Sequence, residues 1–122
     1  EGNFEVENYL QYQGSSFVSR FDANSYLHLT RSMDRFDLSE KYDGKLEKVF
    51  KNNSCKWLII SFNSDWLFPT SESKQLVNAL NANACNVSFV EIESDRGHDS
   101  FLLKVPRLYN ILNGFLIGAK FK

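Results

Sequence analysis

The sequence has few of the residues that make a site easy to read. It holds two cysteines, two histidines and six glycines among 122 residues. Cys55 and Cys85 lie far apart, and no Cys/His pair has the short spacing of a structural zinc site, so no metal centre is expected. Two such cysteines read as reduced thiols rather than as a disulfide framework. Both stand just before an apolar run, at matching offsets, which makes them candidate neighbours in space. There is no basic block, and the net charge of −1 gives no case for nucleic acid or an anionic membrane as partner. No apolar run approaches the ~20 residues that span a bilayer. The GxxxG spacing of Gly114 and Gly118 therefore carries no membrane meaning. The acidic first residues lack the apolar core of a signal peptide, and the cytoplasm is the expected location. No composition shift marks a domain boundary.

What is present is apolar and aromatic. The chain is 43% hydrophobic, with eleven Phe, five Tyr and two Trp. This composition excludes a disordered chain, and the length suffices for one domain with its own core. So much aromatic surface suggests packing against more protein than these residues supply.

Hydrophobic periodicity predicts a helix over residues 3–13, with Val6, Tyr9, Leu10 and Gln13 on one face and Gly14 as its stop. Asp22 reads as the N-cap of a second helix reaching Phe36, with Tyr26, Leu29, Met33 and Phe36 on one face. Arg31 and Arg35 fall late in it, where cations suit the helix dipole. His28 lies beside that face and reads as structural. Residues 38–55 read as a polar connection with one short helix around Leu46–Phe50. Trp57–Phe62 is an almost unbroken apolar run, the pattern of a strand covered on both faces. After Pro69, Thr70 or Ser71 is placed to cap a helix with Leu76, Val77 and Leu80 as its buried stripe, ended by Asn81-Ala82-Asn83. Val87–Ile92 is a second strand. Strand, helix, strand makes a βαβ unit, and its crossover is expected to be right-handed. The tail reads as helical from Phe101 and Leu102. Pro106 is tolerable in the first turn of a new or kinked helix, and Leu108, Ile111, Leu112, Phe115 and Leu116 form a stripe facing the sheet.

In such α/β sheets, functional side chains gather beyond the C-terminal ends of the strands. Asp65 follows the first strand and His98 the second. Parallel neighbours lie about 4.8 Å apart, close enough for the two turns to bring a carboxylate to an imidazole. The carboxylate would orient the ring, and the ring would act as general base. The plainer alternative is that Asp65 only caps its turn. A nucleophile is the missing part. A G-x-S-x-G elbow does not occur: the one glycine pair with that spacing, Gly114 and Gly118, encloses Leu116. Cys55 and Cys85 enter the strands from the opposite end.

Four segments carry a family resemblance, in order and at matching spacing. They are Phe4 to Gly14 (FEVENYLQYQG), Arg20 to Leu27 (RFDANSYL), Ser64 to Pro69 (SDWLFP) and Gly97 to Leu102 (GHDSFL). Together they resemble the C-terminal portion of homoserine O-acetyltransferase, over nearly the whole chain. The resemblance implies an α/β class: the C-terminal part of an α/β-hydrolase fold, comprising a helical lid segment, the last two parallel strands and their flanking helices. Residues 1–40 would be the lid and dimerisation segment, and 41–122 the C-terminal α/β part of the core. Asp65 would be the triad acid and His98 the triad base. Asp99 would hold the homoserine ammonium. The substrates would be homoserine and acetyl-CoA, the latter as acyl donor, with no bound cofactor and no metal. The assembly would be a homodimer formed through the lid. The nucleophilic serine and oxyanion hole are expected in an N-terminal half absent from this sequence, so the chain alone is expected to be inactive. Thr70 and Ser100 depart from the family pattern, where proline and alanine are frequent. Three alternatives remain: homoserine O-succinyl transfer, acylation of serine or ester hydrolysis on the same scaffold. A fourth is a non-catalytic association module.

Overall fold

The computed structural model describes residues 4–120. Asn3, at the start of the first expected helix, lies outside the described residues, as do the extreme ends of the regions 1–40 and 41–122. The chain divides into two compact units, one up to Asp37 and one from Leu38 onward.

In the first unit, α1 spans Glu5–Arg20 and α2 spans Ala23–Asp34. The first turn of α1 is closed by Glu7, whose Oε2 accepts the Phe4 N–H at 3.0 Å. The expected stop at Gly14 does not occur. A lone glycine inside a helix costs about 1 kcal/mol relative to alanine but leaves the hydrogen-bond ladder intact. The helix ends where aromatic rings meet. Phe17 and Phe21 stack with centroids 4.7 Å apart, and Tyr26 meets Phe17 edge-on at 6.1 Å. Asp22 caps α2 as expected, its Oδ1 accepting the Ser25 N–H at 2.7 Å. Neither helix buries a residue. The predicted faces, including Tyr9, Leu10, Leu29 and Met33, are exposed.

The second unit begins with a short 3-10 turn, Glu40–Tyr42, and α3, Leu46–Val49. The βαβ unit follows: β1 spans Lys56–Phe62, α4 Thr70–Asn81 and β2 Asn86–Ile92. The strands pair in parallel, from Lys56 opposite Asn86 to Phe62 opposite Ile92. Among the described residues the sheet has these two strands. Side chains alternate across it. Trp57, Ile59 and Val87 pack with Phe50, Leu76, Ala79 and Leu80 on one face. Ile60, Phe62, Val90 and Ile92 pack with Leu108 and Ile111 on the other. Cover on both faces accounts for the nearly unbroken apolar run of β1.

Three local details differ from expectation. Pro69, not Thr70 or Ser71, is the N-cap of α4. Thr70 instead donates from Oγ1 to the buried Ser61 Oγ of β1 at 2.9 Å, because a buried hydroxyl must be paired. The helical tail starts earlier than Phe101, although a new helix does open at Pro106 as that proline allowed. Gly97–Leu102 forms a separate 3-10 turn, and α5 begins at Pro106 and runs to Lys120. Of the five-residue stripe of α5, Leu108 is buried and Ile111 and Phe115 are half-buried, but Leu112 and Leu116 are exposed. Two strands give a floor too narrow for the whole stripe.

Cys55 and Cys85 directly precede the paired residues Lys56 and Asn86, as their offsets suggested, and both thiols are free. No helix among the described residues is long and apolar enough to cross a membrane.

Candidate functional site

The site lies in the second unit, just past the C-terminal ends of β1 and β2. After Phe62 the chain leaves the sheet through Asn63 and Ser64 and turns at Asp65, whose N–H donates to the Phe62 carbonyl at 3.1 Å. The Asp65 carboxylate is buried and fully engaged. Oδ1 accepts the N–H groups of Leu67 at 3.1 Å and Phe68 at 2.9 Å. Oδ2 faces His98 Nδ1 at 2.9 Å. The Phe68 N–H is the main influence holding this carboxyl below the usual aspartate range. The His98 ring and the Leu67 N–H act the same way, against burial, which acts oppositely. Asp65 thus does cap its own turn, as the plainer reading held, but with one oxygen only.

His98 sits in the 3-10 turn after β2. An ionised carboxylate only accepts hydrogen bonds, so a neutral ring facing it carries its proton on Nδ1 and presents Nε2 as acceptor. Two aromatic rings flank the imidazole, Phe68 at 4.9 Å and Phe101 at 5.4 Å between centroids. The side chain of Asp65 is 8% exposed and that of His98 36%. The carboxylate is therefore sequestered while the imidazole reaches the surface. Beside them is a cavity of about 270 Å³ whose lining includes Asp65, His98, Phe68, Phe101 and Ser73.

The structure brings Asp65 and His98 together as the sequence predicted. Asp99, the residue after His98, is exposed. His28 is exposed on α2, where its carbonyl accepts the Ser32 hydroxyl. Among the described residues, no group of three or more His, Cys, Asp or Glu side chains is placed to hold a metal ion.

Sequence reasoning missed the residues that fasten the two turns. Asn63 N–H donates to the Ile92 carbonyl at 3.1 Å, and Asn63 Oδ1 accepts the Ser94 N–H at 2.9 Å. Ser64 Oγ accepts the Gly97 N–H at 2.9 Å. Fully buried Ser100 donates to the Gly97 carbonyl at 2.7 Å and lies 2.7 Å from Ser94 Oγ. The available signal was the placement of short polar side chains at the first loop positions after each strand, where they bond to nearby backbone.

No family model matches the chain. Curated proteins do. The chain is 60% identical over 119 residues to the homoserine O-acetyltransferase of Pelagibacter ubique, covering 98% of this chain and 32% of that protein. It is 57% identical over 119 residues to that of Rhodopseudomonas palustris, covering 98% and 30%. It is 60% identical over 116 residues to that of Gluconobacter oxydans, covering 95% and 29%. The chain thus spans about 30% of the length of the curated relatives it matches. Over nearly all its length, the chain is a relative of proteins named homoserine O-acetyltransferase and matches a C-terminal part of them.

Proposed function

We propose that the chain supplies the acid and base arms, Asp65 and His98, of an α/β-hydrolase-fold acyltransferase that moves acetyl from acetyl-CoA to the hydroxyl of L-homoserine. The observation that carries this reading is the 2.9 Å contact between Asp65 Oδ2 and His98 Nδ1 across two strand-end turns, in a chain similar to enzymes of that name. The serine nucleophile and the oxyanion hole would belong to sequence beyond these 122 residues.

The chemistry runs in two halves. His98 Nε2 takes the serine hydroxyl proton as the serine oxygen attacks the thioester carbonyl. Collapse of the tetrahedral adduct breaks the C–S bond, and the leaving thiolate takes the proton from His98. In the second half, His98 takes the homoserine hydroxyl proton as that oxygen attacks the acyl-serine. Collapse releases O-acetylhomoserine, and the serine oxygen recovers the proton. Asp65 keeps its charge, orients the ring and stabilises the imidazolium in both halves. Asp99, exposed beside the base, would pair with the homoserine ammonium, and a carboxylate suits that role. Residues 1–40 would form a lid and the contact of a cytoplasmic homodimer. Their exposed apolar side chains, such as Leu10, Leu29 and Phe36, are surface of the kind that association covers.

The test uses the longer protein that contains this stretch, offered acetyl-CoA or succinyl-CoA with L-homoserine or L-serine, and separately a simple ester. The expected product is O-acetylhomoserine. Succinyl transfer, serine acylation or ester hydrolysis in its place would contradict the assignment. Acetyl transfer by the 122-residue chain alone would contradict a nucleophile lying outside it.

A further inference from the structure

The contact between Asp65 and His98 is not the only bond between their turns. One residue upstream of each lies a second, parallel link: Ser64 precedes Asp65, Gly97 precedes His98, and Ser64 Oγ accepts the Gly97 N–H at 2.9 Å. Asn63 makes a third link further back, through the Ser94 N–H at 2.9 Å. The Gly97 carbonyl is held as well, by the Ser100 hydroxyl at 2.7 Å. Gly97 is the point where the base-bearing turn would otherwise swivel. Its φ is +61°, a left-handed conformation that glycine enters and leaves freely. A β-carbon there would meet nothing closer than the Ser64 carbonyl oxygen at 3.8 Å. Hydrogen bonds therefore hold Gly97 on both sides, at the N–H of the peptide before it and at the carbonyl of the peptide after it.

We propose that Ser64 is a positioning residue: its hydroxyl fixes the Gly97 peptide and thereby aims the His98 ring at the Asp65 carboxylate. The catalytic part of this inference rests on Asp65 and His98 being a working pair. Ser64 touches no reacting atom. It acts through the backbone that delivers the base, and Asn63 supports the same turn. Without the Ser64 hydroxyl the Gly97 N–H loses its partner and the turn is tied to β1 by fewer bonds. The ring then drifts from the carboxylate that selects its tautomer. Misplacement of a catalytic group by about 1 Å can cost about 100-fold in rate.

Two readouts separate the outcomes. In the 122-residue chain, with His28→Asn leaving one imidazole, the ring ¹⁵N shifts of His98 report its tautomer. Ser64→Ala is expected to convert a single Nδ1–H tautomer into a mixture, and Ser64→Thr, which keeps the hydroxyl, to restore it. In the longer protein, Ser64→Ala is expected to lower kcat by about 10- to 100-fold with KM little changed, again with rescue by Ser64→Thr. An unchanged tautomer and kcat in Ser64→Ala would overturn the proposal, as would a loss that Ser64→Thr does not repair. Asp65→Asn in the same assay keeps the two claims apart. Full activity there defeats the acyl-transfer reading, while the tautomer readout still judges Ser64.

Discussion

His98 Nδ1 lies 2.9 Å from Asp65 Oδ2, while the other oxygen of that carboxylate is held by the N–H groups of Leu67 and Phe68. The carboxylate is thus locked by its own turn before it meets the ring. It cannot rotate toward His98 or away from it without breaking two backbone hydrogen bonds. The carboxylate is oriented by residues local in sequence, and the imidazole comes from a distant segment.

This arrangement predicts an acid-sensitive component of stability. The folded Asp65 carboxyl titrates below its unfolded value because of the Phe68 and Leu67 N–H groups and His98. The folded state therefore binds fewer protons than the unfolded state between the two values. The stabilising contribution is present above the unfolded value of about 3.9 and is lost as pH falls through the lowered folded value. Asp22, lowered by its cap on Ser25, adds a separate contribution of the same sign. Urea midpoints measured as pH is lowered from about 5 toward 2 should fall less steeply in Asp65→Asn than in the parent chain. An equal slope would show that the carboxylate is not held as described.

Helix α1 runs unbroken through Gly14, and a β-carbon added there would meet nothing within 4 Å. Gly14→Ala should therefore stabilise the helix by roughly 0.5–1 kcal/mol, seen as a rise in far-ultraviolet helicity and thermal midpoint. A loss of stability would mean that the glycine serves a close approach by another backbone.

Leu80 is 0% exposed and sits in the cluster of Phe50 and Ala79 beneath the sheet. Leu80→Ala should cost about 2–5 kcal/mol, whereas exposed Leu116 → Ala should stay within about 0.5 kcal/mol. Denaturant midpoints compare the two directly. Similar costs would argue that the second unit buries the full stripe of α5.

The βαβ unit was legible because its two apolar runs, Trp57–Phe62 and Val87–Ile92, have strand length and end in polar turns. Parallel pairing makes Asp65 and His98 candidate neighbours, and the segments SDWLFP and GHDSFL that carry the family resemblance point to the same pair. The Asp22 cap was legible because a single side chain and the next turn decide it. Gly14 misled because a lone glycine weakens a helix without breaking its ladder. Thr70 misled because its hydroxyl had two uses, capping α4 or pairing Ser61, and only the fold puts Ser61 within reach. The links from Asn63 to Ser94 and from Ser64 to Gly97 were hidden for the same reason. Each joins segments about 30 residues apart, and neither residue type is distinctive in a loop.

The central claim is that Asp65 and His98 work as one acid–base unit in acyl transfer. Its most direct measurement is the rate of CoA release from acetyl-CoA in the presence of L-homoserine, made on the longer protein and on its Asp65→Asn and His98→Ala variants, each checked to be folded. The account predicts that both variants lose about 10⁴-fold in kcat and that the double variant loses no more than the worse single one. Rates within a few-fold of the parent in either single variant, or losses that simply multiply in the double, would contradict it.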